Sequence, residues 1–130
     1  MSAADDDMIM VGHAYGPAVV HALCDLPGRK LPRAALGTYT SLLCEIAPDS
    51  GELLCSLDRL AERVRIKLPE LEGVVLHLAR LRVIVHDPRR ADDVWCINPH
   101  LAWKGSLEAR ARFAALVPPP AVEPLEGDAD

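Results

Sequence analysis

The stretch from Ser56 to Arg82, SLDRLAERVRIKLPELEGVVLHLARLR, constrains the fold more than any other part of the chain. It holds two short apolar stripes with a brief interruption between them. After Ser56, a good N-cap, Leu57, Leu60, Ala61 and Val64 recur at i, i+3, i+4 and i+7, with Asp58, Arg59, Glu62, Arg63 and Arg65 outside. That spacing predicts a helix of little more than two turns. Pro69 suits a first helical turn and opens a second run, in which Leu71, Val75, Leu78 and Leu81 point inward as far as Arg82. Two short amphipathic helices this close together make a helix-turn-helix pattern.

An earlier helix is expected from Leu31. Pro32 fits its first turn, and Leu36, Tyr39, Leu43 and Ile46 keep helical spacing until Ala47-Pro48-Asp49-Ser50-Gly51 stops the pattern. Beyond Arg82, VIVHD (83–87) and VWCIN (94–98) are β-rich, and the polar turn between them carries Pro88, Arg89 and Arg90. Three helices followed by a two-stranded wing is the order of a winged helix-turn-helix, and GELLC (51–55) is a candidate for its small third strand. The expected class is mainly α with a small antiparallel β-hairpin.

SLEARARFAALV (106–117) closes the ordered part. Ser106 caps it, Glu108 favours its first turn, Leu107, Ala111, Ala114 and Phe113 or Val117 offer an apolar stripe, and Pro118 ends it. This helix lies outside the winged unit and needs a partner surface, often a second copy in such folds. Upstream, MIMV (8–11) reads as a short strand, and AVVHALCDL (18–26) reads equally as strand or helix. The domain is expected over 8–117. MSAADDD at the start and the proline- and acid-rich 118–130 read as solvated tails.

Half of the 130 residues are apolar but only 4% are aromatic, so the core must be built from Leu, Val, Ile and Ala. No run approaches the roughly 18 apolar residues of a membrane span, and MSAADDD is no basic-then-apolar leader, which makes a cytoplasmic protein the expectation. Cys24, Cys44, Cys55 and Cys96 lie far apart without a C-x-x-C pair and among apolar neighbours. They read as buried structural thiols, and no cofactor or metal is expected.

The net charge of −5 is unevenly spread. Acids dominate both flanks, whereas residues 56–112 carry eight acids and eleven bases, so an acidic whole does not exclude a nucleic-acid face. No phosphate-binding glycine loop, H-E-x-x-H or G-x-S-x-G occurs, and His13, His21, His77, His86 and His100 are scattered. An enzyme is therefore not expected.

With Leu71, Val75 and Leu78 inward, the second helix of the pair shows Glu70, Gly73, His77 and Arg80 outward, and Lys67 precedes it. His77 and Arg80 can donate to base edges or phosphates, and Glu70 can accept from a cytosine amino group. Arg89 and Arg90 at the wing tip, and Arg59, Arg63 and Arg65 on the helix before, are placed to meet backbone phosphates. The plainer reading of the same residues is an ordinary solvated surface.

The run from the Leu31 helix through LDRLAERVRI, the helix ending HLARLRVIV, and the wing returning into INPHLAWKGS resembles the winged-helix replication initiators of the RepL type, found on bacterial plasmids and phages. It is similar, more loosely, to the MarR-type regulators. In the RepL-like pattern the second wing strand leads into Asn-Pro, an apolar or aromatic residue and a basic-Gly pair, matched here by Asn98-Pro99, Trp103 and Lys104-Gly105. The resemblance covers roughly residues 31 to 117. It departs where recognition helices usually begin with Ser or Thr followed by polar and basic residues, since Leu68-Pro69-Glu70 stand there instead.

The expected function is sequence-specific binding of double-stranded DNA by a homodimer, as a transcriptional regulator or a replication initiator, with no membrane partner. One alternative is a winged-helix module that binds protein through Glu70, Leu76 and His77. Another is a cysteine-based redox or metal sensor. WCINPHLAWKGS (95–106) reads as the hinge between the winged unit and the last helix, with Trp103 packed in the joint.

Overall fold

A computed structural model describes residues 9–11, 15–92 and 94–123. The elements are β1 (Ile9–Val11), α1 (Gly16–Cys24), α2 (Lys30–Leu43), α3 (Leu57–Val64), α4 (Leu68–Arg80), β2 (Ile84–His86), β3 (Trp95–Ile97), β4 (Ala102–Lys104) and α5 (Leu107–Ala114). The chain is mainly helical with small antiparallel sheets. Among the described residues no helix is long and apolar enough to cross a membrane.

The ambiguous run after Gly16 is helical. Pro17 occupies its first turn, and Val19 and Leu23, one turn apart, are fully buried. In α2 the inward face is Ala35, Thr38, Tyr39 and Leu42, so Leu36 and Leu43 of the expected stripe are only half-buried. Ile46, expected within this helix, lies beyond its end and bridges to Leu53.

The Ser56 hydroxyl accepts from the Arg59 backbone N–H, capping α3, and Leu60 and Ala61 face the core. Arg65 ends α3 in the left-handed region (φ 63°), turning the chain toward α4 within two residues. In α4 the inward line is Leu71, Val74 and Leu78. Val75, expected inward, is partly covered on one flank of that line.

β2 pairs antiparallel with β3, in the register Ile84↔Ile97, Val85↔Cys96 and His86↔Trp95. The free edge of β3 is covered by the chain after Gly51. Leu53 N–H donates to Trp95 O at 2.9 Å, and Ile97 N–H donates to Gly51 O at 2.8 Å. A second two-stranded sheet joins β1 to β4, with Ile9 opposite Lys104.

Trp103 is fully buried; its indole N–H donates to Ser106 O at 3.0 Å, and its ring meets Phe113 edge-on at 6.1 Å. Gly51 (φ 73°) allows this packing, because a Cβ there would lie 2.8 Å from Trp103 Cζ3. The stripe expected on α5 is corrected by the same contacts. Its buried residues are Ala109 and Phe113, whereas Leu107 is 64% exposed and Ala111 is exposed. The large aromatic next to Trp103 decides which face turns in, and α5 finds its partner surface within its own chain.

The expected tail from 118 onward is also corrected in part. Pro118 O accepts from the Asn98 side chain, Pro119 O accepts from Arg82 Nε at 2.9 Å, and Ala121 N–H donates to Leu81 O at 2.8 Å. Residues 118–123 are thus laid along the end of α4, where the proline carbonyls accept from side chains and the Leu81 carbonyl at the helix end accepts from Ala121. The expected tails 1–7 and 124–130 lie outside the described residues. Of the cysteines, Cys96 is buried and Cys55 half-buried, but Cys24 and Cys44 are exposed because both sit at helix C-terminal ends. Burial pushes the Cys96 thiol up to about 11.

Candidate nucleic-acid interface

Arg65 and the extended Lys67 (ψ 151°) bring the start of α4 out beside the start of α2. On α4 itself Glu70, Glu72 and Arg80 are exposed, and Gly73 and His77 are partly exposed. A side chain at Gly73 would meet nothing within 4 Å, so the middle of this face is open. Two acids offset Lys67 and Arg80, and Leu68 (37% exposed) and Leu76 (59%) lie among them. The outer face of α4 has no net positive charge of its own.

The hairpin turn carries its two arginines as the sequence suggests, but both are committed to carboxylates. Arg89 forks onto Asp87, with Nε to Oδ1 at 3.0 Å and Nη2 to Oδ2 at 2.9 Å, while its backbone N–H also donates to Oδ1. Its guanidinium lies 5.2 Å from the Phe113 ring centroid, so the side chain is turned back toward α5. The Arg89 hydrogen bonds hold the Asp87 carboxyl below the usual carboxylate range. Arg90 forks onto Asp92, at 3.0 and 2.7 Å, and reaches Glu52 at 3.2 Å. Every cation on this turn is matched, and the hairpin presents little positive field.

The unmatched charge lies elsewhere. A groove of about 910 Å³ opens between the start of α2 and the α3–α4 turn, with Lys30, Arg33, Arg65 and Lys67 on its walls and, among the described residues, Glu70 as the one acid. Among the described residues the ion pairs are Arg63–Glu45 (3.7 Å), Arg89–Asp87, Arg90–Glu52, Arg90–Asp92 and Arg112–Glu108, and none involves these four cations. Of the residues expected from the sequence, Arg65, Lys67 and Glu70 come together here. Arg59 is exposed on α3, Arg63 leans on Glu45, and Arg89 and Arg90 are drawn away.

Lys30 and Arg33 are absent from the sequence-based set because they belong to α2, outside the helix pair. The signal was present as Arg29, Lys30 and Arg33 around Leu31-Pro32. Four unpaired cations within one groove create a positive potential that single-sign clustering reinforces, and it suits phosphate.

A smaller apolar groove of about 240 Å³ lies between the start of α3, α4 and the hairpin, with Cys55, Leu57, Val75 and Trp95 on its walls. Trp95 stacks on His86 at 3.9 Å, and burial pushes the Cys55 thiol up. Among the described residues no group of three His, Cys, Asp or Glu side chains is placed to hold a metal ion. Comparison of the chain with known protein families, with characterised proteins and with solved structures returns no match.

Proposed function

We propose that this chain binds double-stranded DNA sequence-specifically through a winged helix-turn-helix, as a cytoplasmic transcriptional regulator or a plasmid- or phage-type replication initiator. The observation that carries the reading is the set of cations Lys30, Arg33, Arg65 and Lys67 at the foot of α4, which have no carboxylate partner among the described residues. The element order supports it as well: α2, α3 and α4 are followed by a hairpin whose second strand is flanked by the chain after Gly51. In this reading α4 enters the major groove with Glu70, Gly73, His77 and Arg80 toward base edges. Phosphates are gripped at the foot of the helix. The hairpin arginines act chiefly as internal struts rather than as a free basic wing.

Catalysis, a cofactor and a membrane form no part of the proposal. A two-fold dimer does, because paired half-sites double the readout. With Phe113 turned inward, the large apolar side chains left exposed for such a contact are Leu107 on α5 and Leu116 just beyond its end.

The experiment is selection of bound duplexes from a random pool, followed by anisotropy titration over a salt series. The expected result is a selected motif with affinity that falls steeply with salt, and Arg80→Ala weakening the selected site more than random duplex. Absence of salt-dependent duplex binding overturns the proposal. A second reading, a protein-binding module, is favoured by one observation, the exposed Leu68 and Leu76 beside Glu70 and Glu72 on α4. Co-purification of a protein partner that depends on Leu76 and excludes nucleic acid would establish it instead.

A further inference from the structure

We infer that the groove between the start of α2 and the α3–α4 turn is a binding site for a small organic anion with an apolar body. Its acid group would be met by Lys30, Arg33, Arg65 and Lys67, and its body would lie on Leu31, Ile66 and Val74.

Three properties of the groove support this class of ligand. The first is its floor: Leu31, Ile66 and Val74 are apolar, and a DNA backbone, seated by its phosphates alone, would leave that surface uncovered. The second is the separation of charge from floor. The cations lie on exposed positions (Lys30, Arg33, Arg65 and Lys67 are all exposed), so an acid group can be paired at the rim while the body is desolvated below. The third is the balance of charge among the described residues, four cations against the carboxylate of Glu70, which favours a ligand of one or two negative charges over a neutral one. Its volume, about 910 Å³, falls in the range of small-molecule sites.

The inference stands on the groove alone. One consequence rests on the DNA reading: Lys30, Arg33, Arg65 and Lys67 serve both, so ligand and duplex would compete for them.

The test uses anilinonaphthalene sulfonate as the anionic probe and phenylnaphthylamine, which has a closely similar body and no acid group, as the neutral one. The full chain is titrated by calorimetry with each. The expected result is saturable one-to-one binding of the sulfonate, with the neutral probe roughly tenfold weaker. The Lys30→Ala/Arg33→Ala protein is expected to lose a factor of roughly five or more in sulfonate affinity. Arg112→Ala, which removes a cation outside the groove, should leave it unchanged. Both variants alter exposed positions, so folding is preserved and is checked by circular dichroism. Equal affinity for the two probes, or sulfonate binding that survives Lys30→Ala/Arg33→Ala, overturns the inference. A protein that takes up the sulfonate in this way but binds no duplex overturns the DNA reading and leaves this one standing. Duplex binding without groove-dependent sulfonate uptake does the reverse.

Discussion

The side-chain amide of Asn98 donates to the main-chain carbonyl of Arg82 at 2.8 Å, across sixteen residues of sequence. Arg82 is the residue that turns the chain out of α4, in the left-handed region at φ 55°, and its carbonyl has no place in the helical ladder. Asn98 also donates to Pro118 O at 2.9 Å and accepts the His100 N–H at 2.9 Å, while its own N–H donates to Val83 O. One fully buried amide therefore ties together the exit of α4, the end of β3, the turn into β4 and the segment after α5.

Asn98→Ala is expected to destabilise the fold by about 1–3 kcal/mol, because two carbonyls and one N–H in part-buried bonds lose the partner that the buried amide gives them. A urea melt followed by circular dichroism measures it. A change below about 0.5 kcal/mol would show that the amide is incidental to the joint.

Local signals were legible where a single residue and its near neighbours decide the outcome. Ser56 and Ser106 cap the helices that their positions suggest, and the hairpin lies between Val83 and Asn98. What the sequence hid depends on distant partners. The inward face of α5 is chosen by Trp103 and Gly51, so a stripe counted along the helix picked out Leu107 instead of Ala109. The charges of the hairpin turn could be counted in advance, but not the reach of Glu52 to Arg90 across 38 residues. The basic groove was half-read for the same reason, since Lys30 and Arg33 meet Arg65 and Lys67 only after α2 packs beside the turn. The Asn98-Pro99 pair marks a strand end that the sequence shows by itself, whereas the bonds of the buried amide to Arg82 and Pro118 join residues that spacing does not bring together.

Thr38 offers a test in the opposite direction. It is fully buried on α2, and its hydroxyl has no hydrogen-bond partner among the described residues. Thr38→Val keeps the branched shape and replaces an unpaired hydroxyl with a methyl group. The expected outcome is a gain of about 1 kcal/mol in unfolding free energy. A loss of that size in the same urea melt would mean that the hydroxyl is paired in solution.

Asp87 sets a pH dependence. Its carboxyl is nearly buried and Arg89 holds it below the ordinary range, so the folded state binds its proton less readily than the unfolded chain does. The resulting stabilisation is fully present above the unfolded value of about 3.9 and is lost as pH falls through the lower folded value. Asp87→Asn is expected to be less stable than the parent at neutral pH, and to lose less of its stability between about pH 4 and pH 2. Parallel denaturation profiles for the two proteins across that window would remove Asp87 from the acid response.

The placement of free and paired cations separates two surfaces that a charge count treats alike. Arg90 already satisfies Asp92 and Glu52, so bringing it to a phosphate means breaking those bonds, whereas Lys67 and Arg33 have no carboxylate partner among the described residues. Under the DNA reading, Lys67→Ala and Arg33→Ala should each weaken binding to any duplex and lower the slope of log affinity against log salt by about 0.9 if each neutralises one phosphate. Arg90→Ala should leave that slope within error of the parent. The comparison is made on one duplex across a salt series, with the Arg90 variant as the internal control. If the Arg90 variant loses slope and the Lys67 and Arg33 variants keep theirs, the phosphates lie at the hairpin, and the ion pairs there open on binding.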